Sequence, residues 1–499
     1  MSPTSDLLSR TLAHADFHPK LPQQRRLYEA AKVAIHEQIL KPDTKLPSSR
    51  DLARDLGIAR NTVIAAFEQL AAEGYVRSAM GSGTYVTDLE AHREHMGGRR
   101  LSDAPPLSDA PPETLLSRRG EELASFGAGL RHEIQPFAPG EDFSSFPFKL
   151  WVRLQNRVWR EPQPEMLDYG QHGGYLPLRQ AIVEYLRLSR SVNATVDQVM
   201  ITAGTQQSLD LCARLLADVG DTAWMEDPNY WGARRIFQAC DLNIHPVPVD
   251  AEGMAIRPAD LQTHPRLIYV TPSHQYPTGV VMSLIRRREL LDVAAQHQAW
   301  ILEDDYDSEF RYTGRPLAAL KGLDSQQRVI YMGTFSKVLF PGIKVGYIVT
   351  PPALSASFKR ALYDLQRPGQ LMVQATLADF MALGHFTTHL RKLRQTYGAR
   401  REMLRRTLLT HLSAHVKQKV RISAEESGLH LVLELPDDFD DVGLTALAAA
   451  SGMRVSALST YYLQAPPKRG LLIGYAYVLP EKIGYYGRLL AAIIGAGVR

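Results

Sequence analysis

Apolar residues first fall into a helical rhythm at Leu27, Ala30, Ala31, Ala34 and Ile35, the i, i+3, i+4, i+7, i+8 spacing of an amphipathic helix. A polar turn with Pro42 and Pro47 ends that pattern. Ser48 then opens a short second helix, with Asp51 at the fourth position of a capping box and Gly57 as its C-terminal stop. A third helix is expected over about 59–73, with Val63, Ala66, Phe67 and Leu70 inward and Arg60, Asn61 and Ile64 facing elsewhere. Gly74 stops it, and YVRSAMGSGTYV predicts a hairpin turning at Gly81, Ser82 and Gly83. From about Phe137 onward the pattern changes to short β-branched runs alternating with longer helical ones. LIYVTP (267–272), WILEDD (300–305) and VIYMGT (329–334) are the clearest strands. Such alternation predicts an α/β domain with a mainly parallel sheet.

Between the two patterns the hexamer LSDAPP occurs twice, as Leu101–Pro106 and Leu107–Pro112. Its four prolines favour extended backbone, so the segment reads as a semi-rigid linker. The expected division is a small unit at 22–87, a linker at 88–136 and a large domain at 137–499. A length of 499 residues suits two or three compact units. With 45% hydrophobic and 22% charged residues, the composition excludes a disordered, collagen-like or disulfide-stapled chain. Two cysteines, Cys212 and Cys240, are too few for a disulfide framework or a structural zinc site, so no metal is expected. No apolar run approaches a membrane span, and a cytoplasmic location is the expectation. The net charge of +4 permits a nucleic-acid partner without requiring one.

Three helices with a tight turn before the third, followed by a hairpin, make the layout of a winged helix-turn-helix. The third helix of such a unit offers its N-terminal side chains to the major groove. Arg60 can fork onto a guanine, and Asn61 and Thr62 can reach a base edge or a phosphate. Ser48, Ser49 and Arg50, at the start of the second helix, would meet the DNA backbone. The unit carries ten Lys and Arg against seven Asp and Glu between residues 20 and 86, modest for a DNA reader. A helical protein–protein module gives the same periodicity. The string LPSSRDLARDLGIARNTVIAAFEQLAAEGYVRSAMGSGTYV, however, closely resembles the DNA-binding domain of GntR-type bacterial regulators. That resemblance implies Arg50, Arg60, Asn61 and Thr62 as DNA contacts and Gly81 as the wing turn.

In the large domain one lysine stands apart. Lys337 follows the strand VIYMG inside GTFSKVLFPGIKVGY, just after the hydroxyl residues Thr334 and Ser336. A lysine there can form a Schiff base with an aldehyde, given surroundings that lower its pKa. Thr334, Ser336 and Lys344 are placed to hold a phosphate near that aldehyde, a combination that pyridoxal phosphate supplies. A pyridinium ring needs a carboxylate beside its nitrogen, and Asp304 closes the strand WILEDD. Tyr306 can reach a phenolic oxygen, Tyr230 in EDPNYWG can stack on a ring, and Gly204, Thr205 and Gln206 would aim backbone N–H groups at an anion. Taken singly, an acidic loop, a Gly-Thr turn or a tyrosine more often serves packing or solvation.

The series YGQHGGYLPLR, AGTQQSL, EDPNYWG, PSHQYPTG, EDDYDSEF and GTFSK resembles, in order, fold-type I aminotransferases over 137–499. The 33 residues from Asp304 to Lys337 agree with that likeness. It implies a pyridoxal-phosphate transferase fold with a smaller C-terminal α/β subdomain, Tyr276 near the phenolic oxygen and Tyr169 reaching the partner subunit's cofactor phosphate. A winged helix joined by a linker to such a domain resembles the MocR-type subfamily of GntR regulators, implying a head-to-tail homodimer. Three departures stand out: Lys344 replaces a usual phosphate-binding arginine, Tyr276 a usual asparagine, and Leu472 the arginine that holds a substrate α-carboxylate. Arg469, three residues before Leu472, is the candidate replacement, and Gly232 stands where a γ-aminobutyrate-sensing relative offers an arginine. The expected function is a regulator of double-stranded operator DNA that senses an amine, an amino acid or pyridoxal phosphate itself. The alternative is a working aminotransferase with an accessory DNA-binding domain.

Overall fold

The computed structural model divides the chain into two compact units, Met1–Leu115 and Leu116–Arg499. It describes residues 2–14, 21–79, 83–88, 116–125, 135–168, 173–367, 369–423 and 427–496. The LSDAPP repeat, Tyr169 and the Gly81 turn lie outside these residues.

In the first unit helix α2 (Gln23–His36) buries the five apolar positions that its spacing marks. Helix α3 (Ser49–Leu56) starts at Ser48, whose hydroxyl accepts from the Asp51 N–H at 3.2 Å, and ends at Gly57 with φ 66°. Helix α4 (Arg60–Ala72) packs Val63, Ala66 and Leu70 inward, with Phe67 half-buried at the rim. Strands β1 (Val76–Ala79) and β2 (Gly83–Val86) pair antiparallel, Val76 facing Val86, as the wing. One element was not expected: helix α1 (Pro3–His14) precedes the three and buries Leu8 completely against the same core. Its short apolar face, Leu7 and Leu8, is completed only by tertiary packing, so its periodicity is weak on its own.

In the second unit, helix α5 (Arg118–Ser125) occupies part of the stretch read as linker, and Arg118 and Arg119 both pair with Asp241. An eight-stranded sheet has the order β3-β10-β9-β8-β7-β4-β5-β6. Its strands are β3 (Val199–Thr202), β4 (Thr222–Asp227), β5 (Asn243–Asp250), β6 (Gly253–Met254), β7 (Leu267–Val270), β8 (Trp300–Asp305), β9 (Val329–Thr334) and β10 (Gly346–Val349). Pairs β4–β5, β4–β7, β7–β8 and β8–β9 are parallel, while β10 runs antiparallel to both β3 and β9. The three strands named from sequence lie in the parallel centre. Their apolar runs read continuously because both faces are covered. Helices α6 (Thr205–Leu216) and α7 (Trp231–Ala239) follow β3 and β4 and bury Leu209, Cys212, Ala233 and Phe237 against one face. The C-terminal subdomain holds a four-stranded antiparallel sheet in the order β11 (Arg421–Ser423), β12 (His430–Leu435), β14 (Arg469–Gly474), β13 (Ser456–Ala457). Parallel strands all present their C-terminal ends to one side, and that is where open α/β sheets place ligands.

Candidate cofactor and nucleic-acid sites

Asp304 and Thr334 sit at the C-terminal ends of β8 and β9, and Lys337 lies three residues beyond Thr334. Asp304 is buried, and one carboxylate oxygen accepts from the Tyr269 hydroxyl at 2.8 Å. The other oxygen, Oδ1, is buried with no partner. Burial pushes the Asp304 carboxyl up to about 7, against the Tyr269 hydrogen bond and the Lys337 charge, which favour ionisation. A buried carboxylate oxygen without a donor is costly, so this site suits a ligand that brings an N–H or N⁺–H.

Lys337 Nζ lies 2.6 Å from Glu141 Oε1, and Glu141 is buried. Burial alone would depress the lysine, but the Glu141 charge and hydrogen bond, with Tyr230 and Asp307, together outweigh it and hold the ammonium above its ordinary pKa. A lowered pKa was the requirement drawn from sequence. Here Glu141 reverses it, so that pairing must be broken before Lys337 becomes a nucleophile.

Around this pair the tyrosines form a wall. Tyr230 takes a hydrogen bond from Gln206 Nε2 at 3.0 Å and packs edge-on against Tyr276, ring centroids 5.7 Å apart. Tyr276 meets Tyr306 edge-on at 5.9 Å, and the two hydroxyls Tyr276 and Tyr461 are 3.3 Å apart. The Tyr306 hydroxyl donates to the His274 carbonyl at 3.0 Å, and His274 Nδ1 lies 2.9 Å from Asp307. Burial raises the Tyr230 pKa, with the Asp304 charge adding to the rise and the Lys337 charge opposing it.

The anion side is built mostly from backbone. Gly204, with φ 111°, caps α6 without a cap side chain of its own, and its N–H reaches Thr202 Oγ1 at 3.4 Å. Thr205 is half-buried and Gln206 exposed in the first turn. A Cβ on Gly346 would come within 2.7 Å of the Gly204 Cα, so the β10 backbone closes tightly on this turn. Thr334 Oγ1 accepts from the Ser336 N–H at 3.1 Å, and Lys344 is exposed with a left-handed φ of 50°. Gly232 matters through what it lacks: a Cβ there would fall 2.5 Å from both Gln206 Nε2 and the Tyr230 ring. An orphaned acidic oxygen, an amine and an uncapped helix end fit the pyridine nitrogen, aldehyde and phosphate of pyridoxal phosphate.

Leu472 is buried with Val432 and Leu458 against Tyr276, Tyr461 and Tyr462. Arg469 is turned to Asp441, at 3.2 Å. Asp441 also accepts from Ser459 N–H and Oγ and from Gly470 N–H. The structure therefore does not bring Arg469 to the site as a carboxylate clamp.

In the first unit Arg50, Arg60 and Asn61 are exposed, Ser49 and Thr62 are half-buried, and Arg60 Nε donates to Ser49 Oγ at 3.3 Å. That bond ties the start of α4 to the start of α3. The α4 end is capped by Ala59 without a side-chain bond, and no acidic residue stands in its first turn. Its positive pole is thus open to an anion.

Sequence reasoning missed Glu141, Tyr269, His274 and Asp307. Tyr269 was discoverable as the one polar side chain within LIYV; Glu141 lies far upstream in a loop with no periodic signal.

The family of aminotransferases class I and II matches residues 142–466, and bacterial regulatory proteins of the gntR family match 23–86. The probable rhizopine catabolism regulatory protein MocR of Rhizobium meliloti is 38% identical over 476 residues, covering 92% of this chain and 91% of the relative. This chain belongs to the MocR-type GntR regulators. The pyridoxine biosynthesis regulator PdxR of Corynebacterium glutamicum is 32% identical, over 90% of this chain and 91% of its own length. Among solved structures, the kynurenine aminotransferase of Pyrococcus horikoshii superposes with a TM-score of 0.67 at 27% identity, covering 78% of this chain and 96% of the enzyme. MocR-type chains thus join a DNA-binding unit to an aminotransferase fold, and this one carries both.

Proposed function

We propose that this chain is a pyridoxal-phosphate-dependent transcriptional regulator in which Lys337 and Asp304 hold the cofactor and α4 reads DNA. The observation that carries the reading is the buried, unpartnered Asp304 Oδ1 beside Lys337, on a chain that also bears a GntR-type winged helix. When bound, the cofactor supplies an aldehyde that captures primary amines and a ring that withdraws electrons. Asp304 Oδ1 would hold the proton on the ring nitrogen, and Tyr230 would cover a ring face. Gly204, Thr205, Gln206, Thr334, Ser336 and Lys344 would receive the phosphate, while Tyr306 and Tyr276 would flank the phenolic side. Glu141 would accept the proton that Lys337 must lose. Among relatives, PdxR is a pyridoxine biosynthesis regulator, which keeps the cofactor itself open as the signal beside an amine. Apolar Leu472 and the committed Arg469 speak against efficient orientation of an amino-acid carboxylate, and so against ordinary transamination. A head-to-tail homodimer completed by Tyr169 belongs to the same proposal.

The test is an absorption spectrum of the purified chain titrated with pyridoxal phosphate and then with amines, amino acids and B6 vitamers. A visible-edge band that Lys337→Ala abolishes is expected. If one amine shifts the band and changes operator affinity, that amine is the effector. A band that ignores every amine, with DNA affinity following cofactor loading, identifies the cofactor as the signal. The proposal fails if no Lys337-dependent band forms.

A further inference from the structure

Beside the cofactor site lies a second cleft of about 370 Å³, lined on one side by Asn229, Trp231 and Arg234 and on the other by Thr445, Thr460 and Tyr461 of the C-terminal subdomain. A volume of this order suits a small metabolite. None of the residues assigned to the cofactor line it.

Asn229 is only 2% exposed, yet neither its side-chain oxygen nor its nitrogen has a partner. An amide buried with both ends unpaired costs free energy in the empty protein, and the cleft is the open space beside it. Arg234, half-buried on the first turns of α7, has no carboxylate within ion-pair distance among the described residues. Burial and the neighbouring Arg235 both work against its charge. Arg235 itself stacks over the Trp231 ring, 4.4 Å from the centroid. Asp227 acts on Arg234 in the opposite sense, but its carboxylate is hydrogen-bonded elsewhere. Asp227 is buried and accepts backbone N–H bonds from Leu463, Gln464 and Ala465 at 2.7, 2.9 and 2.6 Å. Asp441 is bound to Arg469, Ser459 and Gly470. The first turn of α7 holds no acidic residue. One end of the cleft therefore calls for an anion.

The opposite wall has the other polarity. The hydroxyls of Thr445 and Thr460 donate to the carbonyls of Val442 and Ala457, each at 2.7 Å, which leaves their oxygens as acceptors. With the Asn229 carbonyl they call for ligand donors, and neutral hydroxyl groups supply these without adding a positive charge beside Arg234.

We propose that this cleft binds a small hydroxycarboxylate non-covalently, its carboxylate on Arg234 and its hydroxyls on Asn229, Thr445 and Thr460. Such a ligand bridges the large and C-terminal subdomains, and Trp231 and Tyr461, which touch Tyr230 and Tyr276, connect it to the cofactor wall. It is a second input, distinct from the amine-reactive lysine.

The experiment is isothermal titration of the full-length, cofactor-loaded chain with gluconate, malate and the uncharged polyol sorbitol. Saturable heat is expected from at least one acid and none from sorbitol. Arg234→Met should weaken binding about tenfold or more, the effect of losing a charge-assisted hydrogen bond, and Asn229→Leu should also weaken it. Retention of the cofactor band shows that both variants fold. The cofactor band of the wild type should stay in place and unshifted as the acid saturates. The proposal is overturned if neither acid gives saturable heat up to ~10 mM, well above the ~1 mM Kd of a weak complex. It is equally overturned if Arg234→Met binds unchanged, or if the acid shifts or displaces the cofactor band and so binds at the cofactor site.

Discussion

Asp304 binds its proton more tightly in the folded chain than unfolded, with a pKa raised from 3.8 to about 7 chiefly by burial. The sign follows directly. Below the unfolded value both states are protonated and nothing is lost. As pH rises from about 4 to about 7 the unfolded state gives up its proton first, so the cofactor-free protein loses stability, and above 7 the loss is complete. Asp304→Asn keeps an acceptor for Tyr269 and removes the ionisation. Without cofactor it should therefore stabilise the large unit by about 2–4 kcal/mol at pH 8 and change little near pH 4. Urea unfolding followed by tryptophan fluorescence reads this unit alone, because all five tryptophans lie in it. With pyridoxal phosphate added, the order should reverse, since Asn cannot hold a pyridinium proton. A variant with no gain at pH 8 would show that Asp304 Oδ1 is satisfied in the apo protein. The Gly232 position permits a second residue-scale test. Gly232→Ala drives a methyl into Gln206 and Tyr230, so the stacking tyrosine must move. Cofactor should dissociate about tenfold more readily, measured by dialysis against apo-protein.

Single elements carry the DNA-facing predictions. Ser48 caps α3, and Ser48→Ala should cost about 1 kcal/mol locally, seen as roughly fivefold faster amide exchange over Leu52–Leu56. Arg60→Ala should cost about 1–3 kcal/mol on operator DNA if it reads a base; an equal loss on random DNA would assign it to a phosphate. These helices were legible in sequence because Ser48, Asp51 and Gly57 are local signals that report their own geometry. So were β7, β8 and β9, whose runs reflect burial on both faces. The positions of Asp304 and Lys337 were legible because the one ends, and the other follows, a readable strand. By contrast, Glu141 reaches Lys337 across 196 residues of chain, and its neighbours in sequence say nothing of that. Helix α1 failed for a related reason: Leu8 is buried by tertiary contact, while its stretch sets only a few apolar residues, Leu7, Leu8 and Leu12, among polar ones. The unpaired Asn229 is likewise invisible until two subdomains enclose it.

At the scale of the whole molecule, a regulator must make the state of one unit matter to the other, and thermodynamics constrains how. If an effector acting at Lys337 changes operator affinity by some factor, operator DNA must change effector affinity by the same factor. Typical couplings are about 5–150-fold, which places the effect within reach of direct titration. The spectral band of the cofactor-loaded chain supplies the readout: effector titrated with and without operator should give two midpoints whose ratio equals the ratio of DNA affinities. An enzyme carrying an idle DNA-binding unit gives superimposable titrations, with steady turnover at ~1 s⁻¹ or more as its companion sign. A regulator gives separated ones. The ligand of the Arg234 cleft adds a third affinity to the same cycle, because whatever it does to the amine midpoint the amine must do to its own. Because each unit has its own core, Lys337→Ala should leave basal DNA binding intact while erasing the separation of midpoints. Loss of DNA binding itself in that variant would mean that the cofactor-binding state is required for the DNA-competent form, and the coupling would then be nearly complete.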